Sequence, residues 1–183
     1  MVLPILNKNN VECSCVLIGN YLITAGHVIE TIEAPHIQID KEVFWLDHSR
    51  IVKQRNDNDE NGYDLAIYYI PEKKSTLKLM AEPPFEGMKL DSVSYRMSNN
   101  GYDKVECQME VGGICGNYFT AYSSLNLKAG TSGSPVLYNG KVAGILCLGN
   151  NSGHDTAYNK DYPLNFCVLL SSKAILHFMK ELW

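Results

Sequence analysis

What the chain has little of narrows it first. No apolar run among its 183 residues approaches the length of a membrane-spanning helix, so a helical anchor is not expected. Basic residues do not dominate: 16 Lys and Arg stand against 20 Asp and Glu, for a formal charge of −4. Without a basic block to neutralise phosphates, nucleic acid is not an expected partner. The first residues, "MVLPILNKNN", lack a basic start followed by a long apolar stretch, so no secretory signal is read there and a cytoplasmic location is expected. Neither "CSC" nor "CQMEVGGIC" has a usual zinc spacing, and no metal or cofactor is expected. Four of the six cysteines (Cys13, Cys15, Cys147 and Cys167) lie in the apolar or alternating runs "CSCVLI", "AGILCLG" and "NFCVLL". Buried free cysteines behave as small hydrophobes, and reduced structural thiols are expected.

What is there is a globular composition, 45% hydrophobic and 20% charged, long enough to bury a real core. Short runs rich in β-branched and aromatic residues recur between Gly, Asn, Asp and Pro, which predicts strands. The first half has "CSCVLIG", "YLITA", "HIQID", "EVFWL", "RIVKQ" and "LAIYYI"; the second has "SVSYRM", "KVECQMEV", "ICGNYFTAY", "PVLYNG", "KVAGILCLG" and "LNFCVLL". Asn139-Gly140 between two of them is a hairpin signal. "PEKKSTLKLMAEPPFEGMK" separates the halves as a connector. The expectation is an all-β chain: a barrel over 1–70, the connector over 71–89, a second barrel over 90–170, and a helix over 171–183, all one domain. In "SSKAILHFMKELW", Ile175, Phe178, Met179 and Leu182 form one apolar face behind serines able to cap it.

The densest polar cluster is "KAGTSGSPVLYNG", where Thr131, Ser132 and Ser134 lie between glycines and Pro135. A hydroxyl is a poor nucleophile until a base takes its proton, and the base needs a third group to fix its tautomer. Among five histidines, His27 has the distinctive setting: "NYLITAGHVIE" ends a strand at Thr24, and Ala25 and Gly26 allow a sharp turn. His36 and His48 read as solvent-facing, His154 as a loop residue, and His177 as structural or exposed. Asp64 opens the apolar strand of "NGYDLAIYYI", where an ionised carboxylate needs hydrogen-bond partners. Taken alone, Asp64 is read equally well as a turn aspartate.

"LITAGHVI", "YDLAIYYI" and "GTSGSPVL" together resemble the three catalytic blocks of chymotrypsin-fold (trypsin-like) serine proteases, of the small bacterial and viral type, in the order His, Asp, Ser. The resemblance runs from about Cys13 to the terminal helix. It implies two six-stranded antiparallel barrels and a C-terminal helix, with Ser132 as nucleophile, His27 as base and Asp64 as the orienting acid. The backbone amides of Gly130 and Ser132 would form the oxyanion hole, a role the absent Cβ at 130 favours. Gly133 is expected to leave room for substrate, with Ser134 turned away. The nucleophile elbow of the α/β-hydrolases needs glycine two residues on either side of the serine, and here Gly133 follows directly.

Departures from the family pattern carry information. The residue before the nucleophile is Thr131 rather than the aspartate that pairs with a newly cut N-terminus, so that activation switch cannot operate. The resemblance puts Asn126 and Leu127 at the specificity pocket, with Leu146 and Leu148 nearby, and gives Cys147–Gly149 backbone contacts to an extended peptide. None of these is charged, which implies a small or medium apolar residue before the cut. The expected activity is that of an endopeptidase acting on one or a few proteins. Narrow specificity, a regulatory protein partner, or the loops "NNSGHDTAYNKDY" and "MSNNGYDK" would restrain it. The alternative is a silent binding module on the same fold.

Overall fold

The computed structural model describes residues 1–57, 59–99, 101–125, 127, 130–150, 154–155, 160–161 and 165–180, with 150, 154–155 and 160–161 as backbone. The N-terminal half forms one antiparallel sheet of seven strands: β1 (Val2–Asn7), β2 (Asn10–Ile18), β3 (Tyr21–Thr24), β4 (Pro35–Ile39), β5 (Glu42–Trp45), β6 (Ile51–Asn56) and β7 (Asp64–Tyr69). Their order is β5-β4-β1-β2-β3-β7-β6, so the sheet curls into a half-barrel whose β5 and β6 edges are not paired with each other. A four-residue helix, α1 (Gly26–Ile29), follows β3.

The strand β1 goes unread in the sequence because Pro4 interrupts its apolar run. Opposite Pro4 stands Ser14. Ser14 sends its amide to the Ser132 carbonyl and its carbonyl to the Thr24 hydroxyl, so the pair asks no N–H of the proline.

The C-terminal half is a closed six-stranded barrel. Its strands are β8 (Lys89–Ser98), β9 (Gly101–Cys115), β10 (Tyr118–Ser123), β11 (Pro135–Tyr138), β12 (Lys141–Asn150) and, beyond two two-residue pieces β13 (His154–Asp155) and β14 (Lys160–Asp161), β15 (Phe166–Ser171). Asn139 (φ 49°) and Gly140 (φ 75°) both take the left-handed conformation that a tight two-residue hairpin requires. "MSNNGYDK" is not a loop: Met97 pairs with Tyr102 and Ser98 with Gly101, so it is the end of the β8–β9 hairpin. That hairpin reaches the first sheet, where the Val11 amide meets Met97 Sδ at 3.0 Å. "NNSGHDTAYNKDY" lies almost wholly outside the described residues.

The apolar core gathers in three clusters, one under each sheet and one at their seam. The seam holds Val16, Ile23, Leu65 and Ile67 from the first half and Ile145 and Leu170 from the second. The helix α2 (Ser172–Lys180) completes it with Ile175, Phe178 and Met179. Ser171 caps this helix, accepting the Ala174 amide at 3.2 Å, and His177 is exposed. The cysteines at 13, 15, 147 and 167 are buried and all six are free thiols. His36 is partly exposed, its ring tilted against that of the exposed Trp45 at 4.8 Å.

Phe178 carries the helix onto the first half, with the Tyr63 ring at 4.8 Å and the Lys53 ammonium 4.0 Å from its ring centre. Phe178→Ala is expected to cost about 3–5 kcal/mol, read as a lowered urea midpoint.

Candidate active site

Three segments meet at the seam, and small residues decide how closely. The backbone leaves β3 at Thr24, passes Ala25 and Gly26, and enters α1 with His27. A Cβ on Gly26 would stand 2.1 Å from the Arg55 carbonyl oxygen and 2.9 Å from the Leu65 amide nitrogen. Glycine therefore lets α1 lie directly on β6 and β7. Asp64 begins β7, and the loop before it is held by the second barrel: Asn117 Nδ2 donates to the carbonyls of Asn61 (2.9 Å) and Gly62 (3.0 Å).

The result is a two-point contact between His27 and Asp64. The backbone amide of His27 donates to Asp64 Oδ1 at 2.8 Å, and its ring Nδ1 lies 2.6 Å from Oδ2. Both carboxylate oxygens are thus satisfied by one residue, which lets the charge sit at 10% side-chain exposure. The hydrogen bond to Asp64 raises the His27 pKa above its ordinary value of 6.5; desolvation by burial opposes this, and the charges of Asp64 and Glu30 add to it. With the Nδ1 proton directed at the carboxylate, Nε2 is left as the acceptor. Cys147 Sγ lies 3.7 Å from the Asp64 carbonyl oxygen, closing the other side.

The turn 130–134 docks against the same corner. Gly133 has φ 81°, and a Cβ there would fall 2.2 Å from both the Ser14 carbonyl oxygen and Thr24 Oγ1, and 3.1 Å from the Ala25 amide nitrogen. The missing side chain makes room for the first sheet, not for substrate as the sequence suggested. Ser132 is half-buried beside this contact, its carbonyl accepting the Ser14 amide at 2.9 Å. Its hydroxyl makes no hydrogen bond to His27 among the described residues. The amides of Gly130 (φ 97°) and Ser132 likewise have no acceptor among the described residues. Ser134 is fully buried and its hydroxyl donates to the Thr131 carbonyl.

The other expected residues divide. Asn126 lies outside the described residues. Leu127 and Leu146 are buried together in the second barrel's core, and Cys147 is turned into the seam, so none of the three presents a side chain to solvent. Leu146 contributes backbone: its carbonyl accepts the Gly133 amide at 2.7 Å and its amide donates to Ser134 at 2.8 Å. Cys147 is the extra residue of a bulge between Leu146 and Leu148. Beyond it, Leu148 (42% exposed) and Gly149 lie open. A cavity of about 670 Å³ opens elsewhere, between α1, β5 and β6; it is lined by Ile29 and Glu30 but not by His27, Asp64 or Ser132.

Sequence reading missed Ser14. It is fully buried, donates through Oγ to the Gly130 carbonyl at 3.1 Å, and accepts the Tyr95 amide at 3.0 Å. The available signal was a lone hydroxyl inside the apolar run "CSCVLI", since a buried hydroxyl needs partners.

No protein-family model and no curated protein sequence matches the chain. Solved structures do. The scabies mite inactivated protease paralogue S-D1 superposes with a TM-score of 0.74 at 14% identity, covering 99% of this chain and 91% of that one. Neuropsin, a serine protease expressed in the limbic system of mouse brain, gives 0.69 at 15% identity, with 99% and 93% covered. The MamO protease domain of Magnetospirillum magneticum gives 0.69 at 14% identity, with 97% and 94% covered. The chain therefore has the chymotrypsin fold, one whose neighbours include serine proteases and inactivated relatives of them.

An NMR titration of the His27 ring is expected to show a midpoint above that of a free imidazole. Asp64→Asn removes the acceptor charge that favours the imidazolium, and the midpoint should then fall.

Proposed function

We propose that the chain is a serine endopeptidase. Ser132 attacks the scissile carbonyl, and His27 takes its proton through Nε2 and later gives it to the leaving amine. Asp64 holds the ring in that tautomer and stabilises the imidazolium as it forms. The amides of Gly130 and Ser132, which have no acceptor among the described residues, bind the developing oxyanion; losing such a donor costs on the order of 3 kcal/mol of transition-state stabilisation. The observation that carries the reading is the two-point bond from His27 to Asp64. That geometry fixes both the position and the tautomer of the ring. The bond from Ser132 to His27 belongs to the substrate complex, where catalytic hydrogen bonds of unliganded enzymes tighten.

The substrate is a protein or peptide bound in extended form. Leu148 and Gly149 lie beyond the end of the β11 ladder at Ile145, so their backbone is available to a peptide strand on that side. An uncharged surround, with Leu127 and Leu146 filling the space behind, favours a small or medium apolar residue before the cut.

The alternative, a silent binding module, draws on the lack of a bond from the Ser132 hydroxyl to His27 among the described residues and on the inactivated paralogue among the fold neighbours. A fluorophosphonate probe separates the two. Labelling of the native protein, abolished by Ser132→Ala and retained by Ser134→Ala, is the expected outcome. Absence of labelling in the native protein would leave the binding module standing, and the reverse pattern between the variants would move the nucleophile to Ser134.

The ring must be neutral to accept a proton, and its pKa is raised, so activity is lost as pH falls through that raised value. The acid limb of kcat/KM is expected above pH 6.5, and Glu30→Gln, which removes a neighbouring charge, should move it down.

A further inference from the structure

We propose that Ser14 is the positioning residue of the oxyanion loop, a side-chain clamp reaching from the first sheet to hold the Gly130 peptide. The inference rests on the reading of Ser132 as nucleophile and on the amides of Gly130 and Ser132 as the hole.

The turn holds its own Thr131–Ser132 peptide, whose carbonyl accepts the Ser134 amide at 3.1 Å and the Ser134 hydroxyl, and Gly130 is its weaker point. At Gly130, with φ 97°, the neighbouring peptide planes can rotate at small cost, and such rotation would swing a hole amide away from the oxyanion. The geometry at Ser14 opposes that rotation. Its Oγ accepts the Tyr95 amide at 3.0 Å, and this aims the hydroxyl proton at the Gly130 carbonyl, 3.1 Å away. Its own amide donates to the Ser132 carbonyl at 2.9 Å. The two held carbonyls belong to the peptides on either side of the one that supplies the Ser132 amide. The first also adjoins the peptide that supplies the Gly130 amide. One buried residue therefore brackets the hole.

One further contact makes Ser14 a fixed support. Its carbonyl accepts the Thr24 hydroxyl at 2.8 Å, so it is tied to β3, which leads into His27. Tyr95 belongs to the β8–β9 hairpin, so both partners of the hydroxyl lie in the second half and the side chain ties them to β2 of the first. The Tyr95 carbonyl oxygen would lie 3.2 Å from a Cβ on Gly130 and Val11 Cγ1 3.4 Å, so the loop is also walled in by β8 and β2. Thr131 carries no charge, and the clamp supplies by neutral hydrogen bonds the restraint that an ion pair at that position would give.

Ser14→Ala removes the hydroxyl and keeps the backbone contacts; Ser14→Cys keeps the volume with a weaker donor. Three readouts on native protein and both variants test the clamp: the fluorophosphonate labelling rate, the affinity for a peptide boronate that forms a tetrahedral adduct, and kcat and KM on a peptide ester. Ser14→Ala is expected to lower the labelling rate, kcat and boronate affinity about 10- to 100-fold with KM little changed, with Ser14→Cys between. If Ser14→Ala does not fold, Ser14→Cys must still show reduced boronate affinity at unchanged KM. Folded variants that label and bind boronate like the native protein would overturn the clamp while leaving Ser132 as nucleophile. A native protein that does not label at all would overturn the reading beneath it.

Discussion

The close contact of Gly133 with the first sheet is the constraint on which the site depends. Two halves of the chain fold as separate sheets, and a peptide bond from each must come close enough to leave no room for a methyl group. A Cβ at 133 would overlap the Ser14 carbonyl oxygen and Thr24 Oγ1, and φ 81° already favours glycine. The turn bearing Ser132 thereby reaches the corner where β3 gives way to α1. Gly26 plays the matching part on the other side, admitting α1 against β6 and β7. The side chains of His27, Asp64 and Ser132 come to one corner because two backbones are stripped of theirs.

Burial of charge is managed with similar economy. Asp64 is almost buried, yet its oxygens are satisfied by the amide and the ring of one residue. That removes any need for a lysine or arginine, whose charge would hold the carboxylate but draw its influence away from the ring. The raised His27 pKa follows from the same contact: the carboxylate outweighs the desolvation that favours a neutral ring. The loop before Asp64 is fastened by Asn117 of the second barrel, so the acid, like the serine turn, is positioned by contacts across the seam.

Much of this was legible in the residues. The alternating runs marked the strands, Asn139-Gly140 marked its hairpin, and the apolar spacing of Ile175, Phe178 and Met179 marked the helix and its buried face. The settings of His27 and Asp64 pointed to two distant segments that two hydrogen bonds join, and the turn bearing Ser132 packs beside them. The rest was hidden for identifiable reasons. The strand β1 was masked by Pro4, whose missing amide matters only if the partner across the ladder calls for it, and Ser14 does not. The role of Gly133 was misjudged because an absent side chain shows that something lies close, not whether it is a substrate or the protein's own backbone. "MSNNGYDK" reads as a polar loop because the hairpin's end is stabilised by pairing and by contact with the first sheet, not by local propensity. Ser14 escaped notice because its importance comes from partners 116 and 81 residues away.

Restraint by neutral contacts has a consequence for how such a site responds to its surroundings. An ion pair holding the turn 130–134 would weaken with salt and would titrate, so the turn and His27 would change state together. In this protein the bonds around Gly130, Ser132 and Gly133 run between carbonyls, amides and hydroxyls, none of which titrates near neutrality. The group whose pKa the site raises is His27. The loop can keep its shape across the pH range in which the ring gains and loses its proton. One side of the site is held by packing and neutral hydrogen bonds while the other answers to pH, and the close approach at Gly133 joins the two.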